Sequence, residues 1–177
     1  MKLKSLNKIQ RYFFEKSLQS SVKPIQHGTG LRGFSKVGIL IFGESAEELK
    51  PIHDFVARQK QMGSEVYTLQ YVPFAKIELT DGVVSDEKLN WFGIPKDTSS
   101  QEWISRDYDL VFYFQKAYPP VIEYLLRMSR AGMKVGCDLE NKSVSVFDLM
   151  VSTASHHTKA RIQEVSTVFE KLFKRKI

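Results

Sequence analysis

The chain has 177 residues, of which 42% are hydrophobic and 12% aromatic, and this composition favours one folded domain over a disordered chain. Cys137 is the only cysteine, which excludes an internal disulfide and any metal site built from several cysteines. The sequence contains no apolar run long enough for a membrane-spanning helix, and its start lacks the apolar region of a secretory signal. We therefore expect a cytoplasmic protein, in which Cys137 is a small buried strand residue.

The positive charge of the chain is confined to its two ends. Residues 1–36 carry eight Lys/Arg and one acid, whereas residues 157–177 carry six Lys/Arg and two acids. The two ends therefore carry net charges of +7 and +4, residues 37–156 carry −5, and the whole chain carries +6. Such asymmetry indicates a polyanionic partner, because each cation that neutralises a phosphate releases a condensed counterion. Solubilisation of helix surfaces explains the same charges without any partner.

The first predicted element is a basic amphipathic helix over residues 3–19. Apolar residues such as Leu6, Ile9 and Phe13 recur at roughly helical spacing, and lysines and an arginine occupy much of the remaining surface. Glycines and a proline then punctuate residues 21–36, which predicts a linker. Residues 1–36 are thus expected to precede a single domain over residues 37–177.

Continuous apolar runs predict a sheet that is buried on both faces. Val37–Phe42 is the first such strand, and a helix to about Met62 follows it, with Ser45 and Glu48 as a capping box. Glu65–Val72 predicts the second strand. A strand, a helix and a strand joined by short connections form a βαβ unit, which is right-handed.

The second half of the chain continues this alternation. Its predicted elements are strands at 109–114, 133–137 and 146–151, a helix from Pro119-Pro120 that Gly132 ends, and a long helix from about His156 to Phe173. Residues 73–108 are less regular, with a short strand at 77–79 and a short helix capped by Ser99 or Ser100. We predict an α/β, Rossmann-like three-layer domain with a mostly parallel sheet of about five strands, a basic N-terminal helix and a long C-terminal helix.

Two resemblances accompany this pattern. Residues 109–136 combine D-L-V-x-x-x-Q, a Pro-initiated helix and R-A-G-M-K-V-G, and they resemble a strand–helix–strand segment in the N-terminal half of heptosyltransferase-like glycosyltransferases. The order of V-G-I-L-I-F, N-W-F-G, D-L-V-F-Y-F, M-K-V-G and F-D-L-M-V is similar to that of an uncharacterised bacterial family of about this length. The second resemblance implies the fold and the cytoplasmic setting, with no activity to carry over. Glycosyltransferases of the first kind need a second domain for the sugar donor, so we expect no inherited catalysis.

A candidate ligand site lies where two predicted strands end. Gly43, Glu44 and Ser45 follow the first strand, and Gln115 and Lys116 follow the strand at 109–114. In open α/β sheets, ligands bind in the crevice outside the carboxyl ends of the strands, where a helix start offers free amide groups to a phosphate. The sequence contains no G-x-x-x-x-G-K-[ST], and the neighbouring glutamates repel an anion. A capped turn and a polar loop are therefore the alternative interpretation.

Other chemistry is not indicated by the sequence. The adjacent His156 and His157 have no second ligand cluster at a recognised metal spacing, and capping by Ser155 accounts for them. Scattered acids form no pair that marks a general acid and base, and no nucleophile motif is present. We expect no catalytic residue, no metal and no cofactor.

In the leading interpretation, the protein is non-catalytic and ribosome-associated, and it binds ribosomal or other structured RNA through basic terminal helices. The residues assigned to this contact are Lys2, Lys4, Lys8, Arg11, Lys16, Lys171, Lys174, Arg175 and Lys176. Two alternatives stay open. One is a small Rossmann-like transferase or nucleotide-binding protein that uses the crevice. The other is a peripheral membrane or protein-interaction module, with an anionic membrane surface as the partner of helix 3–19.

Overall fold

The computed structural model describes residues 34–43, 45–74, 82–138, 146–173 and 177. The strands in these ranges are β1 Lys36–Phe42, β2 Glu65–Tyr71, β3 Val83–Val84, β4 Asp107–Tyr113, β5 Arg130–Cys137 and β6 Leu149–Val151. The helices are α1 Ala46–Gln61, α2 Thr98–Ser105, α3 Pro120–Met128 and α4 Thr158–Phe173. The six strands form one parallel sheet in the order β3-β2-β1-β4-β5-β6, which confirms the α/β, Rossmann-like prediction. The predicted helix at 3–19 and the predicted strand at 77–79 lie outside the described residues.

The apolar sequence of β1 follows from the helices that cover both faces of the sheet. Ile39 belongs to a buried cluster that includes Phe55 of α1 and Phe169 of α4. Leu40, its neighbour in the strand, belongs to the opposite cluster with Trp103 of α2. Successive side chains of a strand point to opposite faces, so a strand covered on both faces reads as a continuous apolar run.

The N-cap position predicted for Ser45 is confirmed, but its capping box is not formed, and the serine cap predicted for α2 is wrong. Ser45 is the N-cap residue of α1, but its side chain makes no capping hydrogen bond within the described residues. The carboxylate of Glu48 does not complete a capping box, because it accepts a hydrogen bond from Gln115 Nε2 at 2.7 Å. Asp97 caps α2. Its carboxylate accepts a hydrogen bond from the backbone N–H of Ser100 at 2.9 Å and another from the Ser100 hydroxyl at 2.6 Å.

Several element ends also differ from the sequence prediction. α3 ends at Met128, and Gly132 lies inside β5, because the strand pairs with β4 from its first residue. The predicted strand at 146–151 forms only over Leu149–Val151. β3 is an additional edge strand whose two residues, Val83 and Val84, are too few to produce a periodic pattern.

Candidate functional site

The connections that follow β1 and β4 leave the sheet toward opposite faces. α1 packs into the cluster that it shares with α4, whereas α3 packs into the cluster on the other face. Because β1 and β4 are neighbours in the sheet, the two diverging connections start from one point of its carboxyl edge, where open α/β sheets form a ligand crevice. Gly43 and Ser45 follow β1 at this point, and Gln115 and Lys116 follow β4. Glu44 lies outside the described residues.

The side chain of Gln115 joins the two strands at the base of the crevice. It is 2% exposed, its Oε1 accepts from the backbone N–H of Phe42 at 2.6 Å, and its Nε2 donates to the backbone oxygen of Phe42 at 2.6 Å. On the other side of β1, Gln70 Nε2 donates to the backbone oxygen of Gly43 at 2.7 Å. Both amides satisfy backbone groups beyond the end of the β1–β4 ladder, so Gln115 holds the crevice together.

Replacing Gln115 by leucine is expected to lower the free energy of unfolding by about 2 kcal/mol, because an amide and a carbonyl of β1 lose their partner. Urea denaturation monitored by circular dichroism measures this loss. The matched control is Lys116→Leu, which removes no backbone contact and should change stability by less than about 0.5 kcal/mol. Equal losses in the two variants would contradict the structural role of Gln115.

The segment before α4 reaches the crevice through two exposed histidines. Lys116 Nζ lies 2.7 Å from His156 Nδ1, and His157 Nδ1 lies 3.8 Å from Glu47 Oε1. The backbone N–H of His157 donates to Ser155 Oγ at 3.1 Å. Because α4 begins at Thr158, this bond closes a turn before the helix and is not the predicted cap. In the part of the chain that the structure describes, no group of three His, Cys, Asp or Glu residues is placed to hold a metal ion.

Arg161 is a buried cation that the sequence reasoning missed. It lies on α4, it is 1% exposed, and its Nη2 donates to the backbone oxygen of Asp138, directly after β5. Its Nε finds no hydrogen-bond partner in the described structure. The sequence did carry a signal, because Arg161, Val165 and Phe169 follow one another at four-residue spacing along the buried stripe of the helix.

The charge of Arg161 acts on two buried groups at the carboxyl ends of β4 and β5. Burial raises the pKa of the Cys137 thiol to about 11, and the nearby guanidinium opposes part of this rise. Burial also raises the pKa of Tyr113 well above its usual value, and Arg161 again opposes the shift. Because a thiolate is the reactive form of cysteine, Cys137 is not an activated nucleophile, and its predicted position inside a strand is confirmed.

At the opposite edge of the sheet, three aromatic rings bring the two ends of the described domain together. The ring of Phe34 lies 5.2 Å from that of Phe169 and 6.2 Å from that of Phe173, measured between centroids. The rings of Phe169 and Phe173 are 4.5 Å apart. Ile177 is buried in the same hydrophobic cluster. The chain therefore enters β1 beside the point where it leaves α4.

Asp109 fixes the start of β1 at this amino edge. Its Oδ2 accepts from the backbone N–H groups of Ser35 at 2.7 Å and Lys36 at 2.9 Å. The hydroxyl of Ser64 donates to the backbone oxygen of Phe34 at 3.1 Å. These bonds hold the residues next to the aromatic rings in one position.

Of the residues predicted to contact a polyanion, the structure describes only Lys171, which is exposed in the last turn of α4. The others lie outside the described residues: Lys2, Lys4, Lys8, Arg11, Lys16, Lys174, Arg175 and Lys176. The letters G-x-G-x-x-G occur at 28–33, also outside the described residues. They precede β1, whereas the dinucleotide-binding fingerprint follows a strand and opens a helix, so their position does not fit that role.

Comparison with known proteins adds one family. A model described as a family of unknown function matches residues 7–172, which confirms the resemblance to an uncharacterised family. No curated protein and no solved structure matches the chain, so the resemblance to heptosyltransferase-like glycosyltransferases has no support. None of the described helices is long and apolar enough to cross a membrane.

Proposed function

The chain belongs to the DUF6913 family of unknown function, and we propose that it is a non-catalytic protein that binds structured RNA through its basic terminal segments. The observation that carries the proposal is the packing of Phe34 against Phe169 and Phe173. This contact makes both basic segments start from one edge of the sheet.

The charges on either side of this aromatic contact support the proposal. Seven Lys/Arg and one acid precede Phe34, and three Lys/Arg follow Phe173, so these segments carry +6 and +3. Residues 34–173 carry −3. All of the net positive charge of the chain therefore lies in the two segments that begin beside the aromatic rings. Two weakly binding segments joined at one point act on one polyanion with a high effective concentration.

Two further features favour RNA as the polyanion. Lys171 is exposed one turn before the C-terminal basic residues, so the described surface of α4 continues their charge. The N-terminal segment contains Tyr12, Phe13 and Phe14, and aromatic rings stack on unpaired bases. An anionic membrane would attract the same cations, so the experiment must distinguish the two partners.

The test is a pull-down of the full chain from native lysate, with and without ribonuclease. We expect RNA to copurify with the protein, and we expect ribonuclease to release both the RNA and any proteins carried with it. Copurifying proteins that resist ribonuclease, in a sample without RNA, would contradict the proposal and indicate protein docking. Flotation with anionic but not neutral liposomes, again without bound RNA, would indicate a membrane partner instead.

A further inference from the structure

The carboxyl edge of the sheet contains a buried cation, Arg161, that forms no ion pair with any described acid. We propose that the crevice at this edge binds the phosphate group of a small molecule, with Arg161, Lys116 and the start of α1 as its contacts. The site is separate from the basic chain ends. β1 has seven residues, so the two edges of the sheet lie about 20 Å apart at ~3.3 Å per residue.

The burial of Arg161 is the first argument. A guanidinium that leaves water loses its hydration, and a buried charge is normally paired with an opposite charge and fully hydrogen-bonded. Arg161 is 1% exposed, its Nη2 contacts a neutral backbone oxygen, and its guanidinium also lies beside the neutral thiol of Cys137. Its Nε has no partner, and no described acid forms an ion pair with it. An external anion would supply the missing charge.

The position of Arg161 directs that charge toward the crevice. Its guanidinium contacts the residue that follows β5, and its field reaches Tyr113, the last residue of β4. Two residues later, Gln115 forms the base of the crevice. Lys116 comes next, and its ammonium faces a ring nitrogen of His156, with no acid partner in the described part of the chain. Arg161 and Lys116 thus both lie at the carboxyl ends of β4 and β5.

The start of α1 lies at the carboxyl end of β1, the neighbour of β4 in the sheet. The first N–H groups of a helix have no partner within the helix, and the side chain of Ser45 caps none of them in the described structure. Gly43 has a φ of +79°, and no atom lies within 4 Å of the point that a Cβ would occupy. The space beside Gly43 is therefore open.

The described acids near the crevice have contacts of their own. Glu48 accepts from Gln115 at 2.7 Å, and Glu47 lies 3.8 Å from His157. Asp138 Oδ2 accepts from the hydroxyl of Ser152 at 2.8 Å and from the backbone N–H of Thr153 at 2.9 Å. Glu164 lies one turn after Arg161 on α4, and its charge also acts on the Cys137 thiol. None of these described carboxylates forms an ion pair with Arg161 or Lys116.

Phosphate is the anion that best matches this set of donors. The planar fork of an arginine binds phosphate oxygens in pairs, and a helix start adds backbone donors. A phosphate monoester carries up to two negative charges, which two cations, Arg161 and Lys116, balance.

The test measures binding of inorganic phosphate and phenyl phosphate to the full chain by isothermal calorimetry, at an ionic strength held constant with sodium chloride. We expect saturable binding of both probes. Arg161→Met should weaken it at least tenfold, and Lys116→Gln should weaken it severalfold while leaving the buried core intact. Lys159→Met removes an exposed cation two residues before Arg161 on the same helix, and it should leave the affinity unchanged.

Three results would overturn the inference. One is an absence of saturable phosphate binding in the wild type, and another is equal affinity in the wild type and in both Arg161→Met and Lys116→Gln. The third is phosphate binding that is seen only in the Glu44→Gln variant, which would make Glu44 of this chain the counter-charge of Arg161.

A parallel RNA titration identifies the source of the phosphate. Arg161→Met should retain the wild-type RNA affinity, and a loss of that affinity would assign the crevice to RNA rather than to a small molecule.

Discussion

Replacing Lys2, Lys4, Lys8, Arg11 and Lys16 together by glutamine is expected to weaken binding of structured RNA on the order of a hundredfold at moderate salt. Each cation that contacts a phosphate contributes ~0.7–0.9 to the slope of log affinity against log salt, so the slope should fall by about 4. Fluorescence anisotropy with a labelled RNA hairpin measures both quantities.

The control for this variant changes five exposed cations of the described domain. These are Lys50, Arg58, Lys60, Lys96 and Lys159. Their replacement by glutamine alters the net charge by the same amount, but it leaves the terminal segments intact. We expect less than about a threefold change in RNA affinity for this control, because distant exposed charges are screened by salt. Equal weakening in the two variants would show that net charge alone attracts RNA, which contradicts an interface at the chain ends.

The second large effect is expected at the aromatic contact itself. Phe169 is fully buried, and its ring packs against Phe34, Phe112 and Phe173. Phe169→Ala should lower the free energy of unfolding by about 4 kcal/mol, because it removes a buried ring and leaves a cavity. Phe169→Leu retains most of the apolar volume and should lose less than half as much. Urea denaturation compares the two, and a loss below about 1 kcal/mol for the alanine variant would contradict the packing.

A substitution of Phe34 tests whether the aromatic contact with Phe169 and Phe173 contributes to RNA binding, because it leaves the net charge of the chain unchanged. It lies half-buried at the edge of the cluster, so Phe34→Ala should keep the domain folded. We expect its RNA affinity to fall severalfold, because the two basic segments would no longer start from one fixed point. Phe34→Leu is the matched control.

The central strands were predictable because their surroundings are uniform. β1 and β4 are covered on both faces, so Val37–Phe42 and Asp109–Phe114 appear as continuous apolar runs in the sequence. Helix caps were less predictable. Asp97 and Ser100 are both capping residue types at the start of α2, so the sequence does not decide between them. At the start of α1, a contact with the distant Gln115 draws Glu48 away from the capping box around Ser45.

The two sites depend on strand order, which a sequence does not reveal. The sequence placed Gly43 and Gln115 at strand ends, but their meeting at one crevice requires β1 and β4 to be neighbours. The same order brings Phe34 to Phe169 across 135 positions of sequence. Arg161 is a different case, because charged residues are mostly exposed, whereas its four-residue spacing with Val165 places it on the buried stripe.

The most direct test of RNA binding through the chain ends is the affinity of the full chain for a structured RNA over a series of salt concentrations. Ten Lys/Arg lie in the two terminal segments. If most of them contact phosphates, log affinity should fall against log salt with a slope of about −5 or steeper between ~50 and ~200 mM salt. A slope near zero over this range would contradict the account.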